Sequence, residues 1–529
     1  MATLLETLKD IEQNPAFISS LATQFRGIER ESLRTAEDHL IAQTPHPKSL
    51  GSALSHSQIT TDFSEAQLEF ITQVHPRIDT CLYDLYKIHQ FAYMGIHNQN
   101  EVLWAGSMPP ELPDNRPIPI AQFGTSNVAK MKSTYREGLK IRYNDKMQTI
   151  SGIHYNFSLS DKFFVHYQKY LGNTDSAMEF KTEQYFGLIR NFQRVAPLFV
   201  YLFGATPAFD ESFLPKDHYL HSDVLKLNHT CYLPYATSLR MSDIGYTSEA
   251  QKGLYVCYNH LDNYIDSLRL AIKEPYSRYE ALGLLNSQGN PHQLNTSLLQ
   301  IENEFYSPIR PKRVTASGEA PVNALARAGV EYVEVRCVDI DPFKPMGLDE
   351  ETLIFLDLLL LACVLMDSPD FSLETCQMTQ DNLQRIIHYG RQPDLTMRDA
   401  RDNGLEKPFK SLAMELIDML EPLAQFLDKL QAKSPYQDNL KQQRQKIDNP
   451  ELTPSAKTID ALREYGDYTT FIHKKNAQWH AYFSQSTLSE ISRKAFEDAA
   501  VNSLVQQSII EKNDTVDFTH YLENYYSQY

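Results

Sequence analysis

Residues 27–34 read Gly-Ile-Glu-Arg-Glu-Ser-Leu-Arg, and no other stretch restricts the fold of this chain as strongly. Glu29 and Glu31 stand two apart, so on a strand both carboxylates point to the same face. Like charges held that close are unfavourable unless a cation sits between them, and for carboxylates the usual cation is a divalent metal. Further segments repeat the scheme. In 61–72, Gln67, Glu69 and Ile71 alternate with Leu68, Phe70 and Thr72. In 152–159, Ile153, Tyr155, Phe157 and Leu159 face one way, and His154, Asn156 and Ser158 the other. Residues 298–306 place Gln300, Glu302, Glu304 and Tyr306 on one face. Residues 331–338 set Val333, Val335 and Cys337 inward, with Glu334 beside Arg336 on the polar side. This period of two predicts strands whose polar faces converge on one metal–nucleotide site.

Taken singly, each such strand reads as part of an antiparallel sheet with one solvated face. Their joint composition argues otherwise. Glu29, Glu31, Glu69, His154, Asn156, Glu302, Glu304, Glu334 and Arg336 include no lysine, whereas a solvated face intersperses both signs of charge. Acids with one histidine and one arginine suit a hard cation such as Mg2+, which also bridges to phosphate oxygens. The net charge of −17, from 50 basic and 67 acidic residues, argues against nucleic acid as a partner. An acidic chain that binds an anionic nucleotide needs metal ions and a few well-placed arginines. The basic turn Arg310-Pro-Lys-Arg313 reads equally as a phosphate contact or as surface. From pattern alone Tyr135, Tyr246 and Tyr306 are core tyrosines, and His46 and His56 are loop surface.

The rest of the chain reads as an ordinary globular protein of 529 residues, 42% apolar and 22% charged. Leu4, Leu5, Leu8 and Ile11 share a helical face, and helices are predicted over 78–96, around 135–137 and over 182–205. The prolines of 103–121 predict a long ordered loop. The run Leu353–Met366, interrupted by Asp357, is too short to span a bilayer and is a buried helix. Beyond Asp349 the pattern is helical to the C-terminus, which divides the chain into a sheet-and-helix core (1–350) and a helical region packed on it (351–529), together one structural unit. Six scattered cysteines with no CxxC pair predict free thiols in a reducing compartment. Early acids and no apolar leader predict a cytoplasmic protein without a signal peptide.

These segments, with Pro308-Ile-Arg-Pro-Lys-Arg313, resemble the proteobacterial glutamate–cysteine ligases (γ-glutamylcysteine synthetases). The resemblance runs in order from about residue 15 to about 345, continues loosely to about 455, and carries little beyond. It implies an α+β fold related to glutamine synthetase, an antiparallel sheet curled into a funnel and wrapped by helices. It implies a monomer that uses ATP with Mg2+ or Mn2+ to join L-glutamate to L-cysteine. By position it implies metal ligands at Glu29, Glu31, Asp62, Glu69, His154 and Glu334, and a phosphoryl-steadying arginine at Arg336. Arg310 and Arg313, with Lys312, are candidate phosphate contacts only from the basic turn itself, not from the resemblance. Tyr135, Arg136, Gln148, Arg240, Tyr246 and Tyr306 fall on amino-acid pockets; Glu302 and Glu304 share a family motif without an assigned role. Alternatives are a related ligase with another amine acceptor, a metal-dependent phosphohydrolase, and an inactive regulatory subunit.

Overall fold

The computed structural model describes residues 4–214, 222–244, 250, 251, 253–316, 318–402, 404–431, 434–485 and 487–529. Its centre is a strand of twelve residues, β1 (Gln24–Thr35), which carries the Glu29/Glu31 stretch. Around it lie β2 (Ile59–Thr61), β3 (Gln67–Ile71), β4 (Val102–Leu103), β5 (Ile153–Leu159), β6 (Ile309–Lys312) and β7 (Tyr332–Val338). The spatial order is β2-β3-β1-β5-β7-β6, with β4 on the far end of β1. Every pairing in this sheet is antiparallel, and the sheet stays open with β2 and β6 as edges. β1 is therefore paired on both flanks, to β3 over 29–33 and to β5 over 24–30.

The alternation decides which side is packed. Ile28, Phe70, Tyr155, Phe157, Val333 and Val335 are fully buried on one face. Behind that face lie α1 (Leu4–Ile11), α2 (Ile78–Ile96), α4 (Ala177–Phe203) and α6 (Glu350–Leu365). α6 is apolar on all sides and buried from Thr352 to Leu365, as expected of a helix enclosed by others. Its fully buried acid, Asp357, ion-pairs with Arg26 of β1 at 3.0 Å and accepts the Tyr155 hydroxyl of β5. On the other side, α3 (Asn127–Tyr143) forms a wall over the polar face, and α5 (Pro321–Ala328) lies between β6 and β7 in the chain. Late in the chain follow α7 (Phe409–Gln431), α8 (Glu490–Asn513) and α9 (Phe518–Tyr526). Among the described residues no helix is long and apolar enough to cross a membrane. All six cysteines are free.

Several expectations are corrected or refined. The alternation of residues 67–72 is strand β3; before it Asp62–Ala66 turn from β2, closed by Asp62 N–H to the Gln67 carbonyl at 2.9 Å. Residues 298–306 are irregular around a single 3-10 turn at Glu302–Glu304. The "basic turn" is instead strand β6, an edge, where Pro311 breaks no inner ladder. The C-terminal part is mostly helical as expected, and includes a hairpin, Thr396–Asp399 with Leu405–Pro408. His56, moreover, is buried rather than surface, its Nδ1 accepting the Gln58 and Ile59 N–H groups at 3.1 and 2.9 Å. His46 is half-buried, and burial pushes its pKa down to about 3.

Candidate active site

Register places the charged side chains in a row across the sheet. Glu69 of β3 lies opposite Glu31, Glu29 lies opposite His154, and Glu334 lies opposite Asn156 on one flank and Arg310 on the other. The polar face thus runs from acids on β3 and β1, through His154, to Glu334 with Arg336, and ends on Arg310 and Lys312. The row lines a cavity of about 590 Å³, a size suited to small-molecule ligands.

Glu29 accepts from Asn156 Nδ2 at 2.9 Å and meets His154 Nδ1 at 3.2 Å. Glu31 accepts the Gly152 N–H at 2.7 Å. A side chain at Gly152 is excluded, because a Cβ there would lie 2.7 Å from an Arg240 nitrogen. Glu334 is held by Arg336 at 3.1 Å and Lys312 at 3.3 Å. His154 stands between three acids, 3.7 Å from Glu31 and 3.9 Å from Glu334.

The protonation states follow from these partners. Burial favours the neutral form of every acid here, but Lys312, Arg336 and His154 hold Glu334 well below the ordinary carboxylate range. The His154 contact likewise keeps Glu29 low against its burial. For Glu31, burial, then Asp62, outweighs the Gly152 N–H, Arg336 and Arg240 and pushes it up to about 8. Glu69 is raised for the same reason, by burial and then by Glu29, Asp62 and Glu31. Burial, then Arg336, lowers the His154 pKa against the pull of Glu29 and Glu334, a shift toward the neutral imidazole, the form that can ligate a metal. Ligand atoms of Glu29, Glu69 and His154 all lie within 4.8 Å of one another. A neutral imidazole among crowded carboxylates fits a hard divalent cation.

Of the expected residues, Glu29, Glu31, Asp62, Glu69, His154, Glu334, Arg336, Arg310, Tyr135, Arg136, Gln148 and Tyr306 line this cavity. Arg313 does not. It donates to the Gly329 and Ala328 carbonyls at 2.5 and 2.6 Å, satisfying the C-terminal end of α5. Nor does Arg240, which is buried against Asp339 at 3.0 Å and donates to the Arg336 carbonyl at 2.9 Å. Tyr246 lies outside the described residues. Glu302 and Glu304 are buried anchors: Glu302 accepts from Val322 N–H at 3.0 Å and from the Tyr529 hydroxyl. Glu304 accepts from the Gln300 N–H at 2.6 Å, from Arg142 at 3.3 Å and from the Tyr143 hydroxyl.

Sequence reasoning missed Lys132, Met131, Tyr143, Tyr521 and Tyr525, all of which line the cavity. For α3 the signal existed. Val128, Met131, Lys132, Tyr135, Arg136, Leu139 and Tyr143 recur at helical spacing on one face. Of the basic segment read equally as phosphate contact or surface, Arg310 and Lys312 line the cavity.

A sequence profile of the glutamate–cysteine ligase family matches residues 8–386. A glutamate–cysteine ligase of Pseudomonas fluorescens is 45% identical over 512 residues, covering 96% of this chain and 94% of the relative. One of Saccharophagus degradans is 44% identical over 508 residues, covering 95% and 94%. The crystal structure of the Francisella tularensis glutamate–cysteine ligase in complex with AMP is 35% identical, with a TM-score of 0.89 over 96% of this chain and 98% of that one. A bifunctional glutathione synthetase from Pasteurella multocida shares the fold, with a TM-score of 0.71 at 22% identity, over 97% of this chain and 59% of that one. With its acidic strands in register around one cavity and such relatives along nearly its whole length, this chain belongs to the glutamate–cysteine ligase family.

Proposed function

We propose that this protein ligates the γ-carboxylate of L-glutamate to the amine of L-cysteine at the expense of ATP, giving γ-glutamylcysteine, ADP and phosphate. The observation that carries the reading is the charge order across one sheet face, acids at one side and Arg336, Arg310 and Lys312 at the other. Family membership and the AMP complex of the Francisella relative support the same activity and the same nucleotide class.

A free carboxylate is a poor electrophile because its leaving group would be oxide. Transfer of the terminal phosphoryl of ATP to the glutamate γ-carboxylate gives an acyl phosphate. The cysteine nitrogen then attacks that carbonyl, phosphate departs with the C–O electron pair, and the nitrogen loses a proton. The chain must first bring two anions together. Arg336 is suited to this: it is half-buried, and its Nε has no hydrogen-bond partner among the described residues. Arg310 Nε is in the same condition. Both guanidinium side chains line the cavity, in a site where fixed charges act more strongly on phosphoryl oxygens than in water. Glu334 holds Arg336 in place from two residues away. A divalent cation, Mg2+ or Mn2+, held by Glu29, Glu69 and His154 with Glu31, Asp62 and Glu334 around them, would neutralise the triphosphate. Tyr135, Arg136, Gln148 and Tyr306 would bind the amino acids at the α3 wall.

The test is ADP release with Mg2+ and ATP, with each amino acid alone and with both, alongside mass spectrometry of the product. Release that needs both, with γ-glutamylcysteine formed, is expected. Release without cysteine would replace the reading by a phosphohydrolase or another acceptor.

A further inference from the structure

The family profile ends at residue 386, yet part of the cavity wall is made by the last helix of the chain. Tyr521 and Tyr525 of α9, one helical turn apart, both line the cavity. The segment before α9 crosses the start of α3, where Asp514 accepts the Asn127 N–H and the Val516 carbonyl accepts Asn127 Nδ2 at 2.8 Å. The segment after it is tied to the other lip. Tyr526 donates to the Gln300 carbonyl at 2.9 Å, and Tyr529 donates to Glu302. Gln528 takes the Ala320 N–H at 3.0 Å and donates to the Gly318 carbonyl at 2.9 Å. It thereby pins the loop that brings Thr315, Ala316 and Gly318 to the cavity.

This wall differs in kind from the sheet. It combines Val128 and Met131 of α3 with the two tyrosine rings, and none of these four carries a charge. Tyr525 is buried, its hydroxyl 3.1 Å from that of Tyr529 and its ring edge-on to Tyr526. Tyr521 is half-buried and backed by Phe518, the rings 13° from parallel, so it is a supported aromatic surface with area left to cover. Of the three substrates in the proposed reaction, glutamate and cysteine have no flat apolar face. The nucleotide does, and it alone needs a charged end for phosphates and an uncharged end for a base.

We infer that α9 is the base-binding wall of the nucleotide site, with the Tyr521 ring against the adenine and Met131 and Val128 beside it. The inference rests on the ligase reading only for the identity of the nucleotide. A base stacked on an aromatic ring gains enough that its loss weakens binding roughly ten-fold.

The experiment uses the full chain and measures ADP and tripolyphosphate binding by calorimetry with Mg2+, then steady-state kinetics. Tyr521→Ala should weaken ADP about ten-fold and raise the ATP KM in step. Tripolyphosphate affinity and the KM values for glutamate and cysteine should stay within two-fold. Tyr521→Phe, which keeps the ring, should recover most of the ADP affinity. Unchanged ADP affinity in Tyr521→Ala would overturn the inference, as would equal loss of ADP and tripolyphosphate in a folded variant, or a rise confined to an amino-acid KM. Should Tyr521→Ala not fold, Tyr521→Leu carries the same comparison with the same expectations. Tyr521-dependent ADP binding without γ-glutamylcysteine formation would remove the ligase reading and leave the base site. γ-Glutamylcysteine formation with ADP affinity indifferent to Tyr521 would do the reverse.

Discussion

Glu69, like Asp62, is a carboxyl of the site with little to hold it. Glu29 has His154 and Asn156, Glu31 has the Gly152 N–H, and Glu334 has Arg336 and Lys312. Glu69 has no hydrogen-bond donor among the described residues and stands directly opposite Glu31 across the β1–β3 ladder. Directly opposed like charges destabilise a sheet by up to about 1 kcal/mol. Glu69→Gln is therefore expected to melt slightly higher than the parent in a chelator, and to lose the rise in melting temperature that added Mg2+ gives the parent. A variant that melts lower in chelator would show that Glu69 is already satisfied without a cation. Arg336→Ala should lower kcat by about 10²- to 10³-fold, the scale for removing one preorganised donor to developing charge. Arg336→Lys should restore only part of it, since the forked guanidinium is lost. Equal effects on glutamate KM and none on kcat would place Arg336 in substrate binding alone. The acids were legible in the sequence because a period of two leaves them on one face whatever the loops do. Arg313 and Arg240 were not, because their partners are backbone carbonyls and Asp339, which no spacing announces.

At the scale of elements, α6 and β1 are joined by a charge that the sequence marks only as an interruption. Asp357 is fully buried, Arg26 nearly so, and the Tyr155 hydroxyl completes the group. Removing one partner of a buried pair leaves the other uncompensated and costs about 3–5 kcal/mol. Asp357→Ala should destabilise by that amount in denaturant titrations, and Asp357→Leu combined with Arg26→Met should recover much of the loss. If Asp357→Ala unfolds within 1 kcal/mol of the parent, about the value of an exposed pair, the pair does not act as a buried one. The same comparison explains which elements were readable. The helix expected at 78–96 has those bounds because one apolar face continues through it, with Leu85, Ile88, Ala92 and Ile96 buried. Residues 298–306 alternate just as convincingly and are not a strand. Their acids point inward to donors from Val322, Arg142, Tyr143 and Tyr529, so burial there is set by tertiary partners and not by a sheet face.

The whole molecule bears on whether residue 350 divides two units. We propose that it does not. One buried apolar cluster runs from Leu4 to Tyr525, and a second, small one gathers Ala53, Ala121, Phe123 and Ala129. The packed face of the sheet, with Tyr155, Phe157, Val333 and Val335, shares the large cluster with α6, which begins at residue 350. A fragment of residues 1–350 would expose that face and leave Arg26 buried without its acid. It would also lose α9 and the anchors from Tyr526, Gln528 and Tyr529 that tie the cavity lips. Such a fragment is expected to be aggregated or molten, with far-ultraviolet but no near-ultraviolet circular dichroism. The intact chain should melt in one calorimetric transition whose van't Hoff and calorimetric enthalpies agree. A fragment that melts cooperatively, or two resolved transitions in the whole chain, would establish a separate sheet domain. The helical region would then be a cover added to a sheet that folds without it.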